Sequence, residues 1–253
     1  KIYVTLDSKM QKYAEESIRE HLTDLQKRFD AEQRGRKDWP FYYLNSKQIN
    51  DLMVQAMKRT GRYKQLKAAG VSEDSIMMEF KKPIKTSRFT WAGEEEVEMS
   101  PWDSIRWHKK VAQAGLMSMV PGTGEIKAWV GGIDWQHFQY DHIKQGKRQV
   151  GSTFKPFVYA TAIMKLGLTP CSTISNASFN KGTYHVPGRG GMLTLKDALA
   201  HSQNPVALRL AEMTSTQSVI QTARDLGVTE EISTSLPMAL GSSDITIYEM
   251  VGA

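Results

Sequence analysis

Gln-Val-Gly-Ser-Thr-Phe-Lys-Pro, at residues 149–156, is the stretch from which the fold of this chain can be worked out. The residues that follow, 157–164, are apolar and lack proline, which predicts a buried helix. Ser152 and Lys155 are three positions apart, so they share one face if both are helical. Backbone N–H groups at the start of a helix are free to bind an anion. The stretch therefore brings a hydroxyl, an amine and an anion site together.

This combination is the one that serine nucleophiles need. A serine hydroxyl attacks poorly unless a neighbouring base takes its proton. Lysine accepts a proton only when it is neutral, and its ordinary pKa of ~10.4 must fall by about three units, or roughly 4 kcal/mol, for that to happen near neutral pH. Burial or nearby positive charge can lower it. A Ser-x-x-Lys pair alone is common, however, and also fits a helix cap followed by a solvated lysine.

A second polar motif, His-Ser-Gln-Asn-Pro, occupies residues 201–205. Residues 193–200 and 206–211 have the apolar content of two short helices, and a proline is tolerated at the start of the second. Ser202 and Asn204 therefore lie at a joint between helices, where both side chains can face one cleft. Ordinary helix capping is the alternative for both residues.

Taken together, the two motifs point to one family. Penicillin-binding proteins and class A β-lactamases carry Ser-x-x-Lys, then Ser-Asp-Asn, then Lys-Thr-Gly. The wider sequence resembles the transpeptidase domain of a class A, bifunctional penicillin-binding protein. The matching segments are residues 5–11, 113–117, 122–125, 130–132, 149–157 and 240–243. Residues 1–29 and 113–253 match well, residues 30–112 match poorly, and Val150 stands where the family usually has proline.

The resemblance implies an α/β (α+β) chain with the penicillin-binding and serine β-lactamase-like fold, in which a mostly antiparallel sheet is flanked by helices. It implies three regions. Residues 1–29 start the transpeptidase domain with a strand and a helix, residues 30–112 form an inserted linker region, and residues 113–253 form the transpeptidase core.

The resemblance also implies a function, that of a peptidoglycan D,D-transpeptidase. In this interpretation Ser152 attacks the penultimate carbonyl of a D-Ala-D-Ala stem peptide and Lys155 takes its proton. Ser202 relays a proton to the leaving amine, and Asn204 holds the lysine and the substrate amide. Stem peptides, a lipid-linked precursor and β-lactam antibiotics are the implied partners, with no cofactor. The implied location is extracytoplasmic, in a parent protein anchored to a membrane.

The third motif is missing from these 253 residues. Lys181-Gly182-Thr183 has the wrong order and precedes Ser202, and Lys85-Thr86-Ser87 lies far upstream, so we regard both as unrelated. We expect the Lys-Thr-Gly strand to follow Ala253 in a longer parent, which the chain as given would lack. Since the loss of one oxyanion donor costs about 10²–10³ in rate, we expect the 253-residue chain to be barely acylated by penicillin.

Other features of the sequence indicate no additional site. The net charge of +6 comes from scattered residues, and no nucleic-acid motif is present. Cys171 is the single cysteine, and the acidic run at residues 94–96 is typical of a solvated hairpin tip. His137 and His142 lack a third ligand at a suitable spacing, so no metal site is predicted. No stretch reaches the ~20 apolar residues of a membrane span.

Periodicity and turn residues predict the remaining elements. We expect helices at 8–28, 46–57, 60–69, 102–113, 215–227 and from 246. We expect strands at 1–6, 88–91, 96–99, 116–120 and 126–130, with turns at 72–74 and 92–95 and loops at 29–40, 133–150 and 167–193.

Three alternative functions stay open. A serine β-lactamase shares Ser152 and Lys155, although the long upstream segment fits it less well. A non-catalytic module that binds the cell wall or a partner protein would keep the fold without the chemistry. A basic nucleic-acid binder is the third, and its binding would depend strongly on salt.

Overall fold

The computed structural model describes residue 1 and residues 3–36 and 39–253. Ile2, in the predicted first strand, and Lys37 and Asp38, in the predicted loop 29–40, lie outside the described residues. The chain folds into two compact units. The first unit comprises Lys1–Gln11, Gly115–Gly132 and Tyr140–Ala253, and the second comprises Lys12–Ala114 and Ile133–Gln139. The division into residues 1–29, 30–112 and 113–253 remains a proposal about domains.

The second unit is mainly helical. Its elements are α1 (Ser8–Glu32, whose first turn belongs to the first unit), α2 (Ser46–Arg59), α3 (Gly61–Ala68), α4 (Glu73–Lys81), a hairpin of β1 (Ile84–Thr90) and β2 (Gly93–Met99), and α5 (Pro101–His108). Side chains cap the helix starts as the sequence pattern favours: Asn45 forms a capping box with Gln48, and Thr60, Ser72 and Ser100 each accept a backbone N–H. Met57, Tyr63, Ile76 and Phe80 form the buried centre of the helices.

The β1–β2 hairpin differs from its prediction. Its register runs from Ile84 opposite Met99 to Thr90 opposite Gly93, so both strands are seven residues long and the turn lies at residues 91–92. The predicted turn at 92–95 was wrong. Gly93 takes a φ of +127°, which suits glycine, so the chain reverses before the acidic run and leaves that run on β2.

In the first unit, β3 (Leu116–Met119) and β4 (Ile126–Val130) form a hairpin, as predicted. β5 (Lys147–Gln149) leads into a 3₁₀ turn (Gly151–Phe154) and α6 (Lys155–Leu166). The elements that follow are β6 (Thr173–Ser175), β7 (Phe179–Lys181), β8 (Tyr184–Val186), β9 (Met192–Thr194), α7 (Leu195–Ala200), α8 (Asn204–Thr214), α9 (Thr216–Asp225), a 3₁₀ turn (Leu236–Leu240), β10 (Asp244–Thr246) and α10 (Ile247–Gly252). β5 pairs with β10, β6 with β9 and β7 with β8, all antiparallel.

α6, α8 and α9 form the core of the first unit. Val158 and Ala162 of α6 and Leu208 and Leu210 of α8 are fully buried, and Ala223 of α9 joins them. α6 and α8 are apolar over most of their length, and both bury most of it, while the last turn of α6 exposes Ile163 and Met164. The segment that begins at Lys155 is therefore held by the best-packed part of the unit.

Several predicted boundaries were wrong. Residues 167–193 are not a loop, because β6, β7, β8 and most of β9 lie there. These strands are only three residues long, too short to show an alternating pattern. Residues 3–7 form no strand. Thr5 instead donates its hydroxyl to the Ile126 carbonyl (2.8 Å) and Asp7 its N–H to Lys127 (2.9 Å). α1 ends at residue 32 and α5 at residue 108, and the expected turn at 72–74 is the start of α4.

Within the described ranges, no helix combines the length and the apolar character needed to cross a lipid bilayer.

Candidate active site

Lys155 is the fully buried first residue of α6, and its ammonium nitrogen is surrounded by oxygen atoms. Nζ lies 2.6 Å from the backbone carbonyl of Ser202, 2.8 Å from Ser202 Oγ and 2.6 Å from Asn204 Oδ1. The structure therefore brings together three of the four side chains predicted from the sequence. These three come from two segments nearly fifty residues apart in the chain.

The joint between α7 and α8 creates this arrangement. α7 ends at Ala200 and Asn204 is the first residue of α8, so Gln203 rather than Asn204 occupies the N-cap position and no side chain caps this helix. Ser202, between them, takes a φ of +52°, a conformation that costs a non-glycine residue about 1–2 kcal/mol. In this conformation the carbonyl and the hydroxyl of one residue face the same amine. The strain therefore has a chemical consequence at the site.

The surroundings of Lys155 favour its neutral form more than bulk water does. Burial lowers the pKa of Lys155, and none of its three acceptors is a carboxylate that would offset this effect. The carbonyl and the amide oxygen can only accept hydrogen bonds, whereas the Ser202 hydroxyl can also donate one. When Lys155 loses its proton, Ser202 is therefore the neighbour that can turn its O–H toward the nitrogen lone pair.

Ser152 lies in the 3₁₀ turn Gly151–Phe154, just before α6, and its side chain is exposed. Among the described residues, neither its hydroxyl nor its backbone N–H has a hydrogen-bond partner. The expected contact between Ser152 Oγ and Lys155 Nζ is thus not formed here. The physical reason is local: the α-helix begins at Lys155, so the two residues do not belong to one helix.

The segment at residues 241–243 fixes the position of Ser152. Gly151 donates its N–H to the Gly241 carbonyl (2.9 Å), and Val150 donates to the Ser243 carbonyl (3.1 Å). Gly241 takes a φ of +77°, and a Cβ built on it would lie 1.9 Å from the Gly151 carbonyl oxygen. This Leu-Gly-Ser-Ser segment resembles the family in sequence, but its sequence alone indicated no role for it.

The other candidates lie elsewhere in the fold. Lys181 forms an ion pair with Glu212 (2.9 Å), Lys85 is on β1, and Cys171 is exposed. His137 belongs to the second unit and His142 to the first, and the predicted loop 133–150 contains strand β5 near its end. In the part of the chain that the structure describes, no three His, Cys, Asp or Glu side chains are grouped as metal ligands would be.

Comparison with known proteins places these observations in a family. Residues 114–247, more than half of the chain, match the penicillin binding protein transpeptidase domain, and residues 36–112 match the penicillin-binding protein middle domain. Penicillin-binding protein 1A of Neisseria meningitidis is 26% identical over the whole chain, which covers 36% of that protein. The figures for penicillin-binding protein 1A of Aquifex aeolicus are the same, 26% and 36%. The chain thus spans about a third of the length of these curated relatives.

A solved structure extends the similarity to three dimensions. The crystal structure of penicillin-binding protein 1A from Haemophilus influenzae superposes with a TM-score of 0.61 over 98% of this chain and 41% of that chain, at 21% identity. The fold predicted from the two motifs, mixed helix and strand of the penicillin-binding type, is confirmed.

Proposed function

Because the chain belongs to the penicillin-binding protein transpeptidase family, we propose that it carries the acyl-transfer site of a peptidoglycan D,D-transpeptidase. The observation that supports this most directly is the buried amine of Lys155, held by Ser202 and Asn204 next to the turn that carries Ser152. A fully buried lysine without a carboxylate partner is costly, and such residues occur where a perturbed pKa is useful.

In the proposed reaction, Ser152 Oγ attacks the penultimate carbonyl carbon of a stem peptide that ends in D-Ala-D-Ala. Lys155 Nζ takes the hydroxyl proton. The C–N bond then breaks, and the terminal D-alanine leaves with a proton passed through Ser202. The product is an ester between the shortened stem and Ser152. An amine of a neighbouring stem attacks this ester, forms the cross-link and returns the proton to Ser152.

Each residue has a physical role. The free Ser152 N–H is available to donate to the oxyanion of the tetrahedral intermediate. Asn204 orients Lys155 and retains an amide N–H₂ group for the substrate. A β-lactam would acylate Ser152 through the same attack on its strained amide, but its leaving group would stay attached, so the ester would persist.

The wider setting is also part of the proposal. The parent protein would be bound to a membrane, and its site would face the extracytoplasmic peptidoglycan, with a lipid-linked precursor and stem peptides as substrates.

The test is acylation of the 253-residue chain by a fluorescent penicillin, followed by intact-protein mass spectrometry and peptide mapping. We expect one adduct, on Ser152, that is absent from Ser152→Ala and slower by about 10²-fold or more in Lys155→Met. The matched controls are Ser87→Ala, which removes another exposed serine, and Lys165→Met, which changes an exposed lysine on the same helix. Neither control should alter the rate.

The rate and the position of the adduct answer different questions. Slow labelling at Ser152 agrees with our expectation for a chain without a Lys-Thr-Gly segment, whereas rapid labelling would show that expectation to be wrong and leave the site intact. An adduct on another residue, or equal labelling of Ser152→Ala, would refute the proposed nucleophile. Fast release of the adduct would instead favour a β-lactamase, and a function of the intact parent protein that Ser152→Ala leaves unchanged would favour a binding module.

A further inference from the structure

His137, in the second unit, has a carboxylate oxygen next to each of its ring nitrogens. Nδ1 lies 2.9 Å from Asp134 Oδ1, and Nε2 lies 3.1 Å from Glu94 Oε1. A neutral imidazole has one N–H and one lone pair, so it can satisfy only one of these carboxylates and its lone pair would repel the other. Both contacts are favourable only if both nitrogens carry hydrogen. The His137 side chain is 11% exposed, whereas those of Asp134 and Glu94 are 29% and 47% exposed, so water partly screens both interactions.

His108, on α5, stacks on His137 with a centroid distance of 5.7 Å and an interplanar angle of 17°. Its surroundings require the opposite protonation state. Nδ1 lies 2.8 Å from the Ser104 carbonyl, which can only accept a hydrogen bond, and Nε2 receives the N–H of Phe89 over a long 3.5 Å. One nitrogen must donate and the other must accept, which describes a neutral ring with its hydrogen on Nδ1.

We propose that His108 and His137 form a stacked pair in which His108 is neutral and His137 is cationic. This pair attaches segment 133–139 to the β1–β2 hairpin and to α5, and the attachment depends on pH. The pair explains why this short segment belongs to the second unit although both of its flanks belong to the first. Gln136 supports the attachment, because its side-chain amide donates to Glu94 Oε1 (2.7 Å), the same oxygen that His137 contacts.

The groups around the pair set its response to pH. Asp134 on the segment and Glu94 on β2 are the carboxylates that face His137, and β1 contributes the uncharged ring of Phe89. His108 is the titratable group that faces it from α5. Hydrogen bonds and charge from His137 hold the pKa of Asp134 below its ordinary value, although burial acts against them.

Protonation of His108 would undo the arrangement on the acidic side. Burial lowers the pKa of His108, with a smaller contribution from His137, although the Ser104 carbonyl opposes the shift. A second proton would place two cations in one stack and remove the acceptor for the Phe89 N–H. Segment 133–139 is therefore held less firmly once His108 is protonated.

The first test observes the protonation states directly, in the unsubstituted chain labelled with ¹⁵N-histidine. Near about pH 7 we expect both ring nitrogens of His137 to have the shift of a protonated nitrogen, and His108 to show one protonated and one bare nitrogen. His137→Gln and His108→Gln serve only to assign the signals. A bare nitrogen on His137 at this pH would overturn the proposal, as would a doubly protonated His108.

The second test measures how firmly the segment is held. The N–H groups of His137 and Phe138 donate to Asp134, so their hydrogen exchange reports on the segment. We expect Glu94→Gln to exchange about ten-fold faster at these two amides, because a hydrogen bond between charged groups is lost. Glu98→Gln, on the same strand with an exposed side chain, is the matched control and should not change exchange. Equal effects of the two substitutions would exclude the proposed role of Glu94.

Discussion

The two glycines that position Ser152 show how a single missing side chain can determine a site. Gly151 and Gly241 both take positive φ values, but only Gly241 of the two faces another backbone so closely that no Cβ fits. The turn before α6 is thus held by backbone contact rather than by side-chain packing. Any side chain at Gly241 must displace the residue next to the proposed nucleophile.

The substitution Gly241→Ala tests this argument. We expect it to lower the free energy of unfolding by ~3 kcal/mol or more, because the strained φ alone costs about 1–2 kcal/mol and the clash adds to it. Gly227→Ala is the matched control, since Gly227 has a φ of +100° but a Cβ added there would meet nothing within 4 Å. Urea denaturation of the three proteins measures both values. Similar losses in the two variants would mean that the Gly151 contact has no special importance.

At the scale of elements, the sequence was most informative where apolar residues recur over several turns. α2, α3 and the β3–β4 hairpin appear close to their predicted places, because each has a regular pattern or a marked turn. β6 to β9 were missed, since three residues carry no period and their pairing depends on contacts distant in sequence. The start of α4 was mistaken for a turn, although Ser72 caps the helix and acidic residues lie in its first turn.

The candidate site was predictable to a similar degree. The order of the two motifs identified Lys155, Ser202 and Asn204, whose contacts the structure describes, because short motifs report residues that chemistry requires together. The positive φ of Ser202 and the Gly241 contact were not predictable, since both arise from backbone geometry that tertiary packing imposes. The catalytic roles themselves remain proposals.

Arg209 of α8 links the missed strands to this site. Its guanidinium donates to the carbonyls of Ala177 (2.8 Å) and Ser178 (2.9 Å), between β6 and β7, and to that of Pro205 (3.3 Å) at the start of α8. We expect Arg209→Ala to destabilise the chain by about 2 kcal/mol, since it loses hydrogen bonds from a charged donor. Arg209→Lys should recover less than half of this, because an ammonium lacks the planar fork. Thermal denaturation checks the expected order of stability, in which the unsubstituted chain is followed by Arg209→Lys and then Arg209→Ala. Full recovery of stability by lysine would contradict the role of the planar guanidinium fork.

At the scale of the whole molecule, the two units carry ionisable groups that report on them separately. Lys155 is buried in the first unit, and the pair of His108 and His137 lies in the second. The family match at residues 36–112 falls within the second unit, and the match at residues 114–247 falls mostly within the first. A change of pH should therefore affect the stability of each unit through its own group.

Lys155 gives the prediction for the first unit. Because burial lowers its pKa in the folded state, the unfolded chain binds more protons between that lowered value and the ordinary ~10.4. The free energy of unfolding must then rise with pH over this interval. We expect the stability of the unsubstituted chain, relative to Lys155→Met, to increase as the pH rises from the lowered pKa of Lys155 toward its ordinary ~10.4. Hydrogen exchange of the backbone amides of α8 measures this difference in stability.

The matched control for this prediction is Lys165→Met, which removes an exposed lysine from the same helix and should show no such trend. Amides of α2, in the second unit, should not distinguish Lys155→Met from the unsubstituted chain at any pH. A difference that stays flat or falls with rising pH would mean that folding does not penalise the Lys155 charge. Such a penalty is what a base needs, because the same burial that costs stability at neutral pH favours the neutral amine that can accept the Ser152 proton.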